Sequence, residues 1–167
     1  VLVPAIFFIF NMHAKINKIL LFHTLIAKYF LFLIYFKKRI MKKTIESRDD
    51  LQLLVERFYD KVRKDEELGP IFNHIIIDWP KHIEKITGFW DQHIFGTPSY
   101  KGDPIEVHNE VDKIWNYKIS AHNFGTWLFY WIQTLDELFE GKNVEILKFK
   151  ARKMQTMFFV SMVKNRP

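Results

Sequence analysis

Residues 81–94 carry apolar side chains on two adjoining faces of one helix. At helical spacing, His82, Ile86, Phe89 and His93 share a face, and Ile83, Ile86, Trp90 and Ile94 form a stripe beside it. A helix apolar over so wide an arc is covered on two sides. The protein core accounts for one side. The other calls for a second apolar partner, and a flat one suits the width of the face.

The surrounding sequence reads as further helices. Ser47-Arg48-Asp49-Asp50 has the form of a capping box with Asp in place of Glu. Leu51, Leu54, Val55, Phe58, Tyr59 and Val62 follow the i, i+3, i+4 rule, so the spacing predicts a helix over 48–64 with Tyr59 on its buried stripe. Gly69-Pro70 predicts a break, with Ile71-Phe72 as a short apolar turn. Asp78 and Pro80 start the helix that holds residues 81–94, and Gly96-Thr97-Pro98 ends it. Asp103 is an N-cap with Pro104 at the first helical position, giving a short helix over 104–113 that bears His108. Trp115 to Ser120 is a connection. Phe124, Trp127, Leu128, Trp131, Leu135 and Leu138 mark a long helix ended by Gly141. Leu147, Ala151, Met154, Phe158 and Met162 mark the last. The longest strand-like run is Ile75-Ile76-Ile77, so the fold class expected is all-α.

Charge divides the 167 residues in two. Residues 1–40 hold Lys15, Lys18, Lys28, Lys37, Lys38 and Arg39 and no acid. Removing these six from 25 Lys+Arg leaves 19, against 19 Asp+Glu, so residues 41–167 are formally neutral. The net charge of +6 therefore says nothing about nucleic-acid binding by the larger part. Ile19 to Phe36 is an apolar run of 18 residues broken by His23, Thr24 and Lys28 and followed by Lys37-Lys38-Arg39. This is near the minimum for a membrane span, and the basic cluster would leave the following domain in the cytoplasm. The opposing reading is a mis-called start. The first residue is Val, residues 1–40 have the composition of translated AT-rich DNA, and Met41-Lys42-Lys43 looks like an ordinary start. The expected division is a hydrophobic, basic extension over 1–40 and one domain over 41–167.

Several chemistries are excluded by pattern. There is no cysteine, hence no thiolate ligand or disulfide. His82-Ile83-Glu84 lacks the second His of a zinc H-E-x-x-H site, no glycine-rich phosphate loop is present, and no Ser sits in a G-x-S-x-G elbow. A haem asks for less local signature: one axial His on a helix, an apolar slot and a tuned far side. The 17 Phe and 5 Trp can supply the slot. His82 and His108, 26 residues apart on two helices, could face each other across the plate.

Phe58-Tyr59-Asp60-Lys61-Val62-Arg63-Lys64-Asp65, Leu68-Gly69-Pro70-Ile71-Phe72, Trp79-x-x-His82, Phe89-Trp90, Tyr100-x-Gly102-x-Pro104-x-x-x-His108 and Phe124-x-x-Trp127-Leu128 together resemble the group III truncated haemoglobins. The similarity spans about residues 47–163. One departure is Asn123 between His122 and Phe124. The resemblance implies a two-over-two helical sandwich around haem b, with His108 as the iron ligand. It implies Tyr59, His82 and Trp127 as polar residues on the ligand side, and Ile86 as an apolar contact there. Phe89 and Trp90 belong to the same expected haem surroundings.

The function implied is binding of O2, NO or CO at a five-coordinate, His-ligated iron beside a polar pocket. Several hydrogen-bond donors there suit O2 and NO chemistry, such as NO oxidation or peroxide turnover with an external reductase, better than O2 delivery. The contrasting reading is a haem-free helical interaction module, membrane-tethered if residues 1–40 are translated. A chain begun at Met41 is expected to be helical by circular dichroism and to take up haem. Aggregated or haem-free protein would count against the proposed division.

Overall fold

The computed structural model describes residues 20, 22–33 and 42–167. The chain forms two compact units, 1–42 and 43–167. In the first, residues 22–33 are helical (α1), with Phe22, Leu25, Tyr29 and Phe30 exposed. Among the described residues no helix is long and apolar enough to cross a membrane. The 19–36 run and the basic cluster after it extend past the described residues, so the membrane-anchor expectation lies partly outside them.

The second unit runs β1 (Lys43–Thr44), α2 (Arg48–Val62), α3 (Leu68–Ile75), α4 (Trp79–Phe95), α5 (Pro104–Ile114), α6 (Ala121–Leu138), β2 (Phe139–Glu140) and α7 (Lys142–Lys164). α2 pairs with α4 and α6 with α7, and α2 also packs on α6, which stacks one pair on the other. α5 lies against α7. The result is an all-α, two-over-two sandwich.

Local sequence explains the helix ends. Ser47 and Asp50 form the capping box: the Ser47 side chain accepts from Asp50 N–H, and the Asp50 carboxylate accepts from Ser47 N–H. Asp78 accepts from Lys81 N–H at the start of α4, and Gly96 closes that helix in the left-handed conformation at φ 75°. Asp103 caps α5, and a Ser120–Asn123 capping box opens α6. Asn123, the departure from the family pattern, is thus spent on that cap.

Two segments differ from expectation. Gly69-Pro70 does not break the chain but lies in the first turn of α3. A proline there lacks only an N–H that would have no partner in the helix. The Asp65 carboxylate supplies the missing cap by accepting from Glu67 and Leu68 N–H, at 3.0 and 2.7 Å. The extended segments lie elsewhere than Ile75–Ile77: β1 pairs in parallel with β2, Lys43 opposite Phe139 and Thr44 opposite Glu140. That pairing ends α6 at Leu138, short of Gly141.

Two clusters of buried side chains result. The larger joins α2, α4, α6 and α7 around Leu54, Phe58, Tyr59, Trp90, Trp131 and Leu147. The smaller joins Ile71, Ile119, Phe124, Phe158 and Met162. Phe72 and Met154 pack against both.

α4 is fastened at its far end as well. Ser99 Oγ lies 2.9 Å from both the Gly88 carbonyl and the buried Asp91 carboxylate. A Cβ on Gly88 would stand 2.7 Å from Ser99 O, a backbone atom, so only glycine fits. Gly125 in α6 has open space around its Cβ position. Gly88→Ala is expected to destabilise the unit by about 1–3 kcal/mol through overpacking. Gly125→Ala is expected to stabilise it by about 0.5–1 kcal/mol through helix propensity. Urea unfolding of both variants checks the opposite signs, and equal shifts would refute the close approach at Gly88.

Candidate functional site

Tyr59 comes from the buried stripe of α2 and is 4% exposed. Its hydroxyl is 2.9 Å from His82 Nε2 on α4. Trp79, one turn before His82, sets its ring edge-on to both rings, and the Arg63 guanidinium covers Trp79 at 4.3 Å. Burial raises the Tyr59 phenol far above its usual range and keeps it protonated. Burial, then the Lys85 charge, lowers His82 to about 4, so its imidazole is neutral near pH 7. A neutral His82 can donate from Nε2 to the phenol oxygen. The phenol O–H is then free to point at a third group.

Trp127 reaches the same region from α6. Phe58 sets its ring edge against Tyr59 (4.9 Å) and Trp127 (5.1 Å). Trp127 stacks on Trp131 at 5.8 Å and 10°, and Trp131 stacks on Trp90 at 4.7 Å and 20°. Ile86 is half-buried and packs on this cluster, whereas Phe89 and Trp90 are buried within it. The structure therefore brings Tyr59, His82, Ile86, Phe89, Trp90 and Trp127 together on the larger cluster.

His108 stands apart from them, on α5 and against the smaller cluster. Its ring stacks on Phe158 at 4.3 Å and on Phe124 at 6.1 Å. His108 Nδ1 is 2.5 Å from the Pro104 carbonyl. A carbonyl only accepts, so the proton is on Nδ1 and Nε2 carries the free lone pair. Burial lowers the His108 pKa, the Pro104 bond opposing it, so the neutral ring that can ligate a metal is favoured. Among the described residues no three His, Asp or Glu side chains gather to hold a metal ion. A metal at His108 would have to bring its other ligands with it.

Three further histidines of the second unit have local duties. His93 donates from Nδ1 to Phe89 O, His74 packs on Trp115, and His122 is exposed beside Glu67. Sequence reasoning assigned no site role to Trp131 or Thr87, whose Nε1 and Oγ1 are buried without a hydrogen-bond partner among the described residues. It also missed Asp112, the buried residue of α5. Helical spacing did mark Trp131 as core. A Thr or Asp in an otherwise ordinary helix gave no such signal.

These helices in this order are a globin in its truncated, two-over-two form. The 2/2 haemoglobin of Synechococcus sp. PCC 7002, crystallised in the cyanomet state with covalently attached haem, shares that fold at a TM-score of 0.58 and 20% identity, over 72% of this chain and 95% of that one. More specifically, the chain is similar to the group III truncated haemoglobins. It is 29% identical over 122 residues to the group 3 truncated haemoglobin of Campylobacter jejuni, covering 71% of this chain and 92% of that protein. The crystal structure of a group III truncated haemoglobin from the same organism superposes with a TM-score of 0.67 at 27% identity, over 76% of this chain and 99% of that one. No family model matches.

The Tyr59–His82 pair generates a pH prediction. His82 titrates near 6.5 in the unfolded chain and near 4 in the folded one. Between those values the unfolded chain binds the extra proton, so stability attached to His82 is complete above pH 6.5 and declines as pH falls towards 4. In the haem-free protein the His82 ring proton is expected to shift in NMR with a midpoint near 4, and His82→Gln should flatten the stability profile between pH 4 and 6.5. A midpoint near 6.5 would mean that His82 is solvated rather than closed onto Tyr59.

Proposed function

We propose that the second unit binds haem b through His108 and holds a diatomic ligand beside Tyr59, His82 and Trp127. The observation that carries the reading is His108 itself. It is a half-buried neutral imidazole, its Nδ1–H fixed on the Pro104 carbonyl, its plane fixed by Phe158 and its Nε2 unprotonated. That is the form in which histidine binds iron. The residues fit the group: one nitrogen donor, a large aromatic surround and, on another helix, a hydroxyl already oriented by a neutral His. With no cysteine in the chain, the haem cannot be linked through thioethers. The relatives' description as haemoglobins supports the same assignment.

Bound haem supplies an iron with one further position open to a small ligand. The protein's part is to orient donors around that ligand. A donor aimed at an oxygen that gathers negative charge is a charge-assisted hydrogen bond of about 1.5–3 kcal/mol. At about 1.4 kcal/mol per factor of ten, one such donor slows release about 10- to 100-fold. Tyr59, oriented by His82, is the first candidate, and the Trp127 indole N–H is the second. Slow release disfavours O2 delivery and suits reactions that consume O2, with NO as co-substrate and an external reductase. The His108 partner bears on the peroxidase alternative. A neutral carbonyl raises the basicity of the ring less than a carboxylate would, which favours ligand binding over O–O cleavage.

Protein begun at Met41 and loaded with haem should show an intense Soret band that shifts with CO. His108→Gly should lose haem or hold it only with added imidazole; an unaltered ferrous spectrum in that variant would remove His108 from the iron. Tyr59→Phe should speed O2 release about 10- to 100-fold and move CO release much less, because bound CO carries little charge. Equal effects on the two gases would reduce Tyr59 to a steric role.

A further inference from the structure

α5 carries the proposed iron ligand, yet its single buried residue is a carboxylate. Asp112 is 1% exposed, and the apolar residues Ile105 and Val111 are only half-buried. A short helix so poorly buried is not held by apolar packing alone. A charge in that place is tolerated only if it is paired and hydrogen-bonded.

The partner is Arg166, just past the end of α7. Its Nε lies 2.8 Å from Asp112 Oδ2 and its Nη2 3.0 Å from Oδ1, the forked geometry that only arginine offers. The same Nη2 donates to Ile119 O at 2.6 Å, and Asp112 Oδ1 accepts from Ile119 N–H at 3.3 Å. One guanidinium thus ties together α5, the α5–α6 connection and the segment after α7. Asn116 and Tyr117, within that connection, have φ of 54° and 59°, and Tyr117 N–H is tied to Asp112 O at 2.7 Å. Asp112 is four residues after His108, on the same side of the helix. The contacts with α7 advance together along the two helices: His108 on Phe158, Asn109 on Ser161 at 3.2 Å, Asp112 on Arg166.

We propose that Arg166 is a positioning residue for His108: its pairing with Asp112 sets the rotation and depth of α5 and thereby the geometry of the iron–histidine bond. This rests on the haem reading above. Without Arg166 the buried Asp112 carboxylate has lost its counter-charge. The low-cost response is for α5 to roll until the carboxylate meets water, which turns His108 off Phe158.

The test compares the haem-loaded full chain with its Arg166→Ala, Arg166→Lys and Asp112→Asn variants. The readouts are the iron–histidine stretching band in Raman spectra, the rate of haem transfer to an excess of an apo-globin acceptor, and helix content by circular dichroism at the same temperature. Arg166→Ala should keep its helix content, shift or broaden the band, and transfer haem about 10- to 100-fold faster. Arg166→Lys should restore the charge but not the fork and fall between. The CO stretching band, which senses the Tyr59 side, should stay in place in all of them. Asn143→Ala, which removes a 2.8 Å bond to Ile45 O remote from α5, is the control and should leave the iron–histidine band unchanged. A lower melting temperature with an unchanged band and transfer rate in Arg166→Ala would overturn the proposal and leave Arg166 a structural staple. If Arg166→Ala does not fold, Asp112→Asn decides, since its amide keeps an acceptor for Arg166 but loses the charge; an unchanged band there overturns the proposal equally. An unaltered chain with no Soret band overturns the haem reading before Arg166 is touched, so the two failures are told apart.

Discussion

The buried stripe of α2 is the constraint on which the sandwich rests. Leu51, Leu54, Val55, Phe58 and Val62 are fully enclosed, because α4 closes on one side of the stripe and α6 on the other. A surface dry on both flanks admits a polar atom only if that atom finds a partner. Tyr59 is the one hydroxyl on the stripe, and the partner it finds is His82, a side chain on the facing helix. A phenylalanine ring would fill the same volume with nothing to satisfy. The hydroxyl is therefore a cost to the core that is met by one bond to a neutral histidine, and its use must be sought in what else that oxygen can address.

The two histidines central to the site are held by different physics. His82 rides on α4, a long helix fixed by apolar packing against α2 and by the close approach of Gly88 to Ser99. His108 rides on α5, which has little apolar anchorage and depends on a ring stack and on the pairing of buried Asp112 with the part-exposed Arg166. Apolar packing is broad and indifferent to small rotations, whereas a forked guanidinium–carboxylate pair fixes both distance and angle. On the proposed haem reading, such a division suits a ligand-facing His82 that has to give way to an incoming group and an iron-facing His108 that must not.

Helix periods, caps and stops in residues 47–163 carried most of the fold, because each is a local choice. The Ser47–Asp50 box, the Asp78 and Asp103 caps and the Gly96 stop all act where the sequence places them. What was not legible is non-local. Asp65 makes α3 possible by capping it from outside the helix, so Gly69-Pro70 looked like a break. The β1–β2 pairing joins residues nearly a hundred positions apart, with no alternation long enough to announce a strand. At the candidate site, the family resemblance nominated Tyr59, His82 and His108, while spacing alone placed Tyr59 on a buried stripe; neither the Arg166–Asp112 pair nor the aromatic contacts between helices has a sequence period to reveal it.

Trp131 belongs to this non-local layer. Its indole is fully enclosed and, among the described residues, its N–H has no acceptor, a loss of about 1–3 kcal/mol that some other interaction must offset. The offset is stacking: Trp131 lies nearly parallel to both Trp127 and Trp90 and takes Phe58 edge-on, at aromatic separations worth about 0.5–1.5 kcal/mol each beyond area burial. Trp127, half-buried and one turn earlier on the same helix, has its ring plane within 10° of that stack. The orientation of its own ring is accordingly set by the stack on Trp131. On the proposed haem reading, the residues that line the pocket are set from one layer behind, by the enclosed Trp131 on one side and the Arg166–Asp112 pair on the other.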